Sequence, residues 1–554
     1  MLRKVVSITA ENCFLHFPVK TGVRPRSEVE IFVNGERTFQ FAIELANEGA
    51  DDFFFLELSA FVGKELEVVV PVPKGIDMRA IERVFAGVSP AKLDEAFYPM
   101  LYKEALRPQF HFSSARGWLN DPNGLYYHDG VYHLFYQHNP LGVLHGEVNV
   151  TWGHAVSKNL IAWQEIGDAI LPWRRDWFIA SGSAFVDIKN AAGYGAGTII
   201  AAFTALGAKD EEGNIQPSGG QFLAYSHNEG KSFTRFSDSP QIPVPNGDSW
   251  RDPLIFEDGG RYYIAVYEHR DGINGVSFYV SDNFHNWEFK SFTANLFECP
   301  DIFKLDAADG LSKWVLFGAD GLARLGSFSE GVFIDDGISF PLDYGTATYA
   351  GQTWSHAPNG RRLHISWIRG MGESNSWEFD MGYPGMPFSQ CMSLPCDIEL
   401  KYVSGNYHLC RYPVKELQAL RKAGAKADLI TLGSNSGTYE LPLVAGTEVE
   451  LCVDNTSQYC ADGSIKLTCN GRPISIDLVK KEMTIEGYNP RKLLGIKPDY
   501  VTVRIFTDAS TIEIFIEDEA SATYSLDTTN ASITLEGCGQ ARITAWELDG
   551  IWHS

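Results

Sequence analysis

Two stretches of the chain repeat one design. His128-Asp129-Gly130-Val131-Tyr132-His133-Leu134-Phe135-Tyr136 is echoed by Glu257-Asp258-Gly259-Gly260-Arg261-Tyr262-Tyr263-Ile264-Ala265-Val266-Tyr267. In each, an Asp-Gly turn runs into an aromatic-rich strand, and such residues favour a pleated, half-buried surface. A second element recurs with it. Ala155-Val156-Ser157-Lys158-Asn159 precedes Trp163, Ala224-Tyr225-Ser226-His227-Asn228 precedes Phe233, and Tyr279-Val280-Ser281-Asp282-Asn283 precedes Trp287. The serine spacing is somewhat longer than the usual propeller-blade period of about 40–50 residues. Antiparallel sheets repeated in this way bury one another's faces and close into a ring. A large irregular sandwich is the alternative, and the paired echoes weigh against it.

The flanks have another texture. Residues 1–98 read as a small β domain, with strands over 29–33 and 39–43 joined by the hairpin signal Asn34-Gly35, and further strands over 53–58 and 66–72. Residues 91–96 read as a short helical connector. Beyond Leu394-Pro395, period-2 strands over 448–453, 501–506 and 511–516 suggest a separate β-sandwich, with a short helix over 416–421 at its boundary. The expected architecture is therefore all-β: an N-terminal domain over 1–98, a propeller over 105–396 and a sandwich over 408–554. A chain of 554 residues is too long for one core.

Charge and motif content narrow the chemistry. The net charge of −24 repels nucleic acid and anionic membranes and suits a neutral sugar, although solubility alone would explain it. No run of about 18 apolar residues is present to cross a membrane. The nine cysteines are odd in number and lack C-x-x-C spacing, so neither a disulfide framework nor a zinc site is suggested. H-E-x-x-H, P-loop and Rossmann fingerprints are missing. No metal and no cofactor are expected, and a homo-oligomer is left open. The first residues lack the apolar core of a signal peptide, which favours the cytoplasm, or secretion if an export signal has been removed.

Three islands carry the chemistry: Trp118-Leu119-Asn120-Asp121-Pro122-Asn123-Gly124, Arg251-Asp252-Pro253 and Glu298-Cys299-Pro300. In each, an acidic residue lies in a short segment closed by proline, which pushes the residue before it into an extended conformation and can aim a carboxylate. Asp121 alone could be a turn residue. Three such carboxylates in one repeat region are raw material for glycoside hydrolysis with retention, which needs a nucleophile and a proton donor about 5–5.5 Å apart. Asn120 and backbone amides would keep Asp121 ionised as nucleophile. Phe297 and Cys299 would raise the pKa of Glu298 as acid, leaving Asp252 to hold sugar hydroxyls. Arg251 would steady Asp252, or be a plain surface charge. Gln137 would donate to a sugar, or be a satisfied strand-end amide. Trp152 and Trp377 would offer flat faces to the ring, against core packing as the ordinary role of tryptophan. Cys299 reads as a small buried residue.

In order and spacing these islands resemble the signatures of glycoside hydrolase family 32, which comprises invertases, inulinases, levanases and related fructosyltransferases. Residues 135–140, 152–157, Ser181-Gly182-Ser183-Ala184, Asp343-Tyr344-Gly345 and the stretch 503–515 are also similar to family segments. The resemblance covers about 105 to 554. It implies a five-bladed propeller followed by a β-sandwich and no cofactor. It further implies Asp121 as nucleophile, Glu298 as general acid/base and Asp252 as transition-state stabiliser. Asn120, Gln137, Trp152, Ser181, Arg251 and Trp377 would line the fructose subsite. The chain departs from the family pattern at His145, where a tryptophan is usual, at Ala180, where a phenylalanine is common, and at Cys396 after Pro395. The first two departures imply altered subsites. The N-terminal domain resembles a small extra β domain of some levanase-like members. The expected activity is retaining, exo-acting hydrolysis of terminal β-fructofuranosyl residues from short β-fructans or sucrose-like sugars. A fructosyltransferase or fructose-dianhydride-forming enzyme with the same residues is the alternative, and a non-catalytic carbohydrate-binding propeller the second.

Overall fold

The computed structural model describes the chain except residues 21–25, 47–48, 51, 71–81, 83–86, 92–98, 146–148, 175, 209–213, 244–248, 308–309, 371–382, 384, 404, 455–463, 470, 497–499, 529–531 and 553–554. The regular structure of the described residues is nearly all strand, with short 3-10 turns such as Lys415–Leu420, where a short helix over 416–421 is expected. Most of the expected connector over 91–96 lies outside the described residues, and Ala91 ends a strand. Among the described residues no helix is long and apolar enough to cross a membrane.

The N-terminal part forms a four-stranded sheet in the order Leu2–Ser7, Glu65–Val70, Ser27–Val33, Glu36–Ile43, beside a three-stranded one. Strict alternation buries every second side chain of Ser27–Val33, the period-2 signature of a sheet with one face on a core. Asn34 and Gly35 turn with φ of 53° and 81°, the left-handed pair that a two-residue hairpin requires. The side chain of Asn149 accepts from the Ala42 N–H at 3.2 Å and donates to the Ala42 carbonyl at 2.9 Å, docking this part on the central region.

The central region holds five successive sheets, antiparallel except where Phe388–Ser389 adds parallel to Gly117–His128. Their first strands are Gly117–His128, Trp177–Asp187, Trp250–Asp258, Asp301–Asp306 and Thr348–Thr353. Each first strand lies against the next, and Thr348–Thr353 lies back against Gly117–His128. There Ser355 N–H donates to the Leu125 carbonyl at 3.0 Å, and Leu125 N–H to Gln352 Oε1 at 3.2 Å.

The internal echoes have a physical basis. The Asp-Gly turns join first and second strands in the first and third sheets. Ser157, Ser226 and Ser281 each end a third strand, where the hydroxyl accepts the N–H of Asn159, Asn228 and Asn283 at 3.2, 3.3 and 3.2 Å. Each asparagine side chain then accepts backbone N–H groups further along the turn. The fifth sheet takes Cys396–Val403 and Asn406–Pro413 as its outer strands. It therefore continues past the expected boundary at 396, because antiparallel pairing on Arg362–Ile368 needs those strands.

The C-terminal part is a ten-stranded paired array. Its two long strands, Lys426–Pro442 and Ser532–Glu547, pair through register shifts, and both halves of the array share one core that includes Leu467, Ile474, Val503 and Ile514. Asp343 of the central region accepts hydrogen bonds from Ser521 and Thr523 hydroxyls, each at 2.8 Å, and from Arg411 at 3.2 Å.

Candidate active site

The three carboxylates meet around one thiol. Cys299 Sγ lies 3.5 Å from Asp121 Oδ2 and 3.5 Å from Asp252 Oδ2, so those oxygens are at most twice that distance apart. The Cys299 N–H also donates to Asp252 Oδ2 at 3.1 Å. Asp121 Oδ2 accepts from Ser181 Oγ at 2.6 Å, and Ser181 Oγ accepts from Gln137 Nε2 at 2.9 Å. Glu298 accepts from the Arg251 guanidinium through Nε at 3.1 Å and from Tyr349 Oη at 2.9 Å. Arg251 stands 4.7 Å over the Tyr267 ring and 5.8 Å over that of Phe297.

Local backbone irregularity makes this convergence. Ladder register breaks between Leu119 and Pro122, between Ile179 and Gly182, between Arg251 and Leu254 and between Tyr349 and Gln352. Asp121, Ser181, Asp252 and Tyr349 lie in or at the edge of those breaks. A bulge re-aims a side chain that regular pairing would direct along the sheet face. Pro122 and Pro253 lack the N–H that regular pairing would use. Asp252, Glu298 and Cys299 have φ of 64°, 52° and 38°, a strained region for residues with a Cβ that costs about 1–3 kcal/mol each. Asp301 anchors the exit of the third island by accepting Thr353 N–H at 2.6 Å and Thr353 Oγ1 at 2.8 Å.

The model of the glycosyl hydrolases family 32 N-terminal domain matches residues 111–413, more than half of the chain and all of this site. The chain belongs to glycoside hydrolase family 32. It is 29% identical over 467 residues to a levanase of Bacillus subtilis (strain 168), covering 75% of this chain and 65% of that one. It is 28% identical over 532 residues to a levanase of Bacillus sp. (strain L7), covering 84% of this chain and 54% of that one. The chain thus spans between about half and two thirds of the length of these levanases. In structure it is similar to an exo-inulinase from Aspergillus awamori, with a TM-score of 0.67 at 23% identity, over 81% of this chain and 100% of that one.

Within this family 32 site the electrostatics differ from the sequence reading. Burial pushes Asp121 up to about 7; the Ser181 hydrogen bond opposes this, and the Asp252 and Glu298 carboxylates add to it. Burial likewise raises Asp252 to about 6 against the pull of Arg251. Glu298, expected in apolar surroundings, is instead gripped by Arg251 and Tyr349. Arg251 reaches Glu298 from the third sheet and Tyr349 from the fifth. Burial and the nearby carboxylates hold the Cys299 thiol well above its usual range, so it remains protonated and donates.

Other expected residues fall as follows. Trp152 has no exposed face: its ring is fully buried and its Nε1 donates to the Ala180 carbonyl at 3.0 Å. It therefore supports the Ser181 segment from inside the core and cannot stack on a sugar. Gln137 is buried and donates to Ser181. The buried Asn120 Oδ1 has no hydrogen-bond partner among the described residues, so a sugar hydroxyl would satisfy it. Trp377 lies outside the described residues. Ala180 is buried, and His145 packs edge-on to Trp118 at 4.9 Å and Phe178 at 5.3 Å. Tyr349 escapes sequence reading because it is a single aromatic with no flanking proline or acid, and Tyr267 because it is one of three tyrosines in an aromatic-rich strand that nothing local sets apart.

Proposed function

We propose that this chain is a retaining, exo-acting β-fructosidase that removes terminal β-D-fructofuranosyl residues from fructans or sucrose-like sugars. In this reading the central sheets are the blades of a five-bladed β-propeller ending near residue 413, followed by a β-sandwich and preceded by a small β domain. The observation that carries it is the meeting of Asp121, Asp252 and Glu298 around Cys299. Membership of family 32 and similarity to levanases support the substrate class.

Asp121 attacks the anomeric carbon of the fructosyl unit, and Glu298 passes a proton to the departing oxygen. Water then attacks the fructosyl ester, with Glu298 taking its proton. Ser181, oriented by Gln137, and the Cys299 thiol donate to Asp121 Oδ2 and fix which oxygen is free to react. Asp252, buried and held by the Cys299 N–H, accepts hydroxyl hydrogens of the ring. The depth of Asp252 supports attack at a chain end over attack within a chain.

Product analysis on levan, inulin and sucrose tests the reading. Free fructose from the first minutes, with slow decline of polymer size, is expected. Early intermediate oligosaccharides would overturn exo action, and new oligomers or cyclic dimers would indicate transfer to sugar.

A further inference from the structure

The strand Val131–Asn139 has two working faces. Gln137 reaches Ser181 on one of them. Its neighbours Tyr136 and His138 alternate to the other, where they line a cavity of about 390 Å³ between the N-terminal sheets, the first central sheet and the C-terminal end of the chain. Tyr136 Oη donates to Glu165 at 2.6 Å, and His138 Nδ1 bonds Asp168 at 2.8 Å. The N-terminal sheets bring Glu57 and Phe55 to the same space, and the connecting segment brings Tyr102.

The walls are built firmly. The Tyr102 ring stacks on Trp552 at 4.3 Å with an 11° interplanar angle, and Trp552 Nε1 donates to the Pro108 carbonyl at 2.6 Å. Tyr102 has a φ of 59°, a strained conformation for a bulky residue that persists only where its surroundings enforce it. Gly167 has a φ of 108°, and a Cβ there would come 3.2 Å from the Glu57 carboxyl carbon, so glycine leaves room for that group. Gln164 is exposed and Phe14, Tyr102 and Trp552 are half-buried, so the cavity opens to solvent, while the Asp168 side chain is only 4% exposed.

Aromatic faces beside carboxylates suit a neutral polyhydroxylated ligand. Rings cover its C–H faces while carboxylates accept its hydroxyls. Glu165 and Asp168 disfavour anions, with Arg116 the cationic side chain on the same wall. The volume is near the lower end of the about 300–1,000 Å³ typical of small-molecule sites. We propose that this cavity is a second, non-catalytic saccharide site that takes the uncharged end of a fructan chain, of one or two sugar units. The fructan identity rests on the fructosidase reading; the cavity chemistry itself asks only for a neutral sugar. Burial, opposed by the Ser59 hydrogen bond and aided by Glu165 and Asp168, pushes Glu57 up to about 8. At neutral pH it can therefore donate to a hydroxyl as well as accept from one.

The test is calorimetric titration of full-length Asp121→Asn, which cannot turn over, with levanbiose, and with cellobiose as a fructose-free control. Two binding events are expected for levanbiose. Tyr102→Ala and, separately, Gln164→Trp at the exposed mouth should each weaken one event by about tenfold. In the active background both substitutions should leave kcat on sucrose within about twofold while raising KM for levan. A single event that neither substitution weakens, or a second event unmoved by both substitutions, overturns the proposal. Fructan hydrolysis with such a single event sinks the cavity site alone. Cellobiose binding that both substitutions weaken, with no fructose release by the active chain, sinks the fructosidase reading and leaves the saccharide site standing.

Discussion

His111 and Asp508 are joined at 2.9 Å between ring Nδ1 and carboxylate, and Asp508 also accepts the backbone N–H groups of Gln109, Phe110 and His111. The other ring nitrogen reaches Glu513 at 3.1 Å. One buried imidazole thus ties the entry of the central region to the C-terminal array. Burial alone would lower its pKa, but the hydrogen bonds of Asp508 and Glu513 outweigh it and raise His111 to about 9.

That value predicts a pH-dependent junction. The folded pKa exceeds the unfolded value of about 6.5, so the stabilisation is complete below that pH and is lost as pH rises through about 9. Thermal unfolding should show the Tm falling between pH 7 and 10. His111→Gln should lower the Tm at pH 7 and flatten that slope. An unchanged slope in the variant would assign it to other groups.

Asp121→Ala should cut turnover by about 10⁴-fold or more while leaving the far-UV spectrum and Tm near those of the unsubstituted chain. No ester can form without the carboxylate, and among the described residues the Asp121 side chain hydrogen-bonds only Ser181 and Cys299. Near-normal activity in a folded variant would refute its role.

Glu298→Gln should lose most activity on sucrose and much less on an activated aryl fructoside, which needs little protonation to depart. Tyr349→Phe removes the 2.9 Å bond to Glu298. It should lower kcat by about tenfold with KM little changed, because the proton donor loses one of the bonds that orient it. Equal losses on both substrates for Glu298→Gln would mean that the proton comes from elsewhere.

Activity should fall on the acid side as pH drops below about 7 and then about 6, because Asp121 and Asp252 are pushed up to those values and must be ionised to act. The two interact, so the limb reports the pair. Cys299→Ser replaces a weak donor at 3.5 Å by a stronger one. A better hydrogen bond to the anion favours ionisation, so the acid limb should move to lower pH. A limb that stays in place would show that the thiol does not tune these carboxylates.

Local chemistry wrote much of this protein into its sequence. Asp129-Gly130 and Asn34-Gly35 fix their turns because few residues accept positive φ, and the serine–asparagine pairs close their own turns within a few residues. Pro122 and Pro253 mark the bulges because a missing N–H is a property of one residue. Those signals were enough to find the all-β plan and the three carboxylates. They could not give the surroundings of those carboxylates, which come from strands far apart in the chain. Arg251 and Tyr349 reach Glu298 from the third and fifth sheets, while Ser181 reaches Asp121 from the second. Whether Trp152 faces a sugar or the core depends on which neighbouring sheet covers it, as does the burial that raises Asp121 and Asp252. Desolvation and charge proximity are properties of assembled space, and only the tertiary structure decides them.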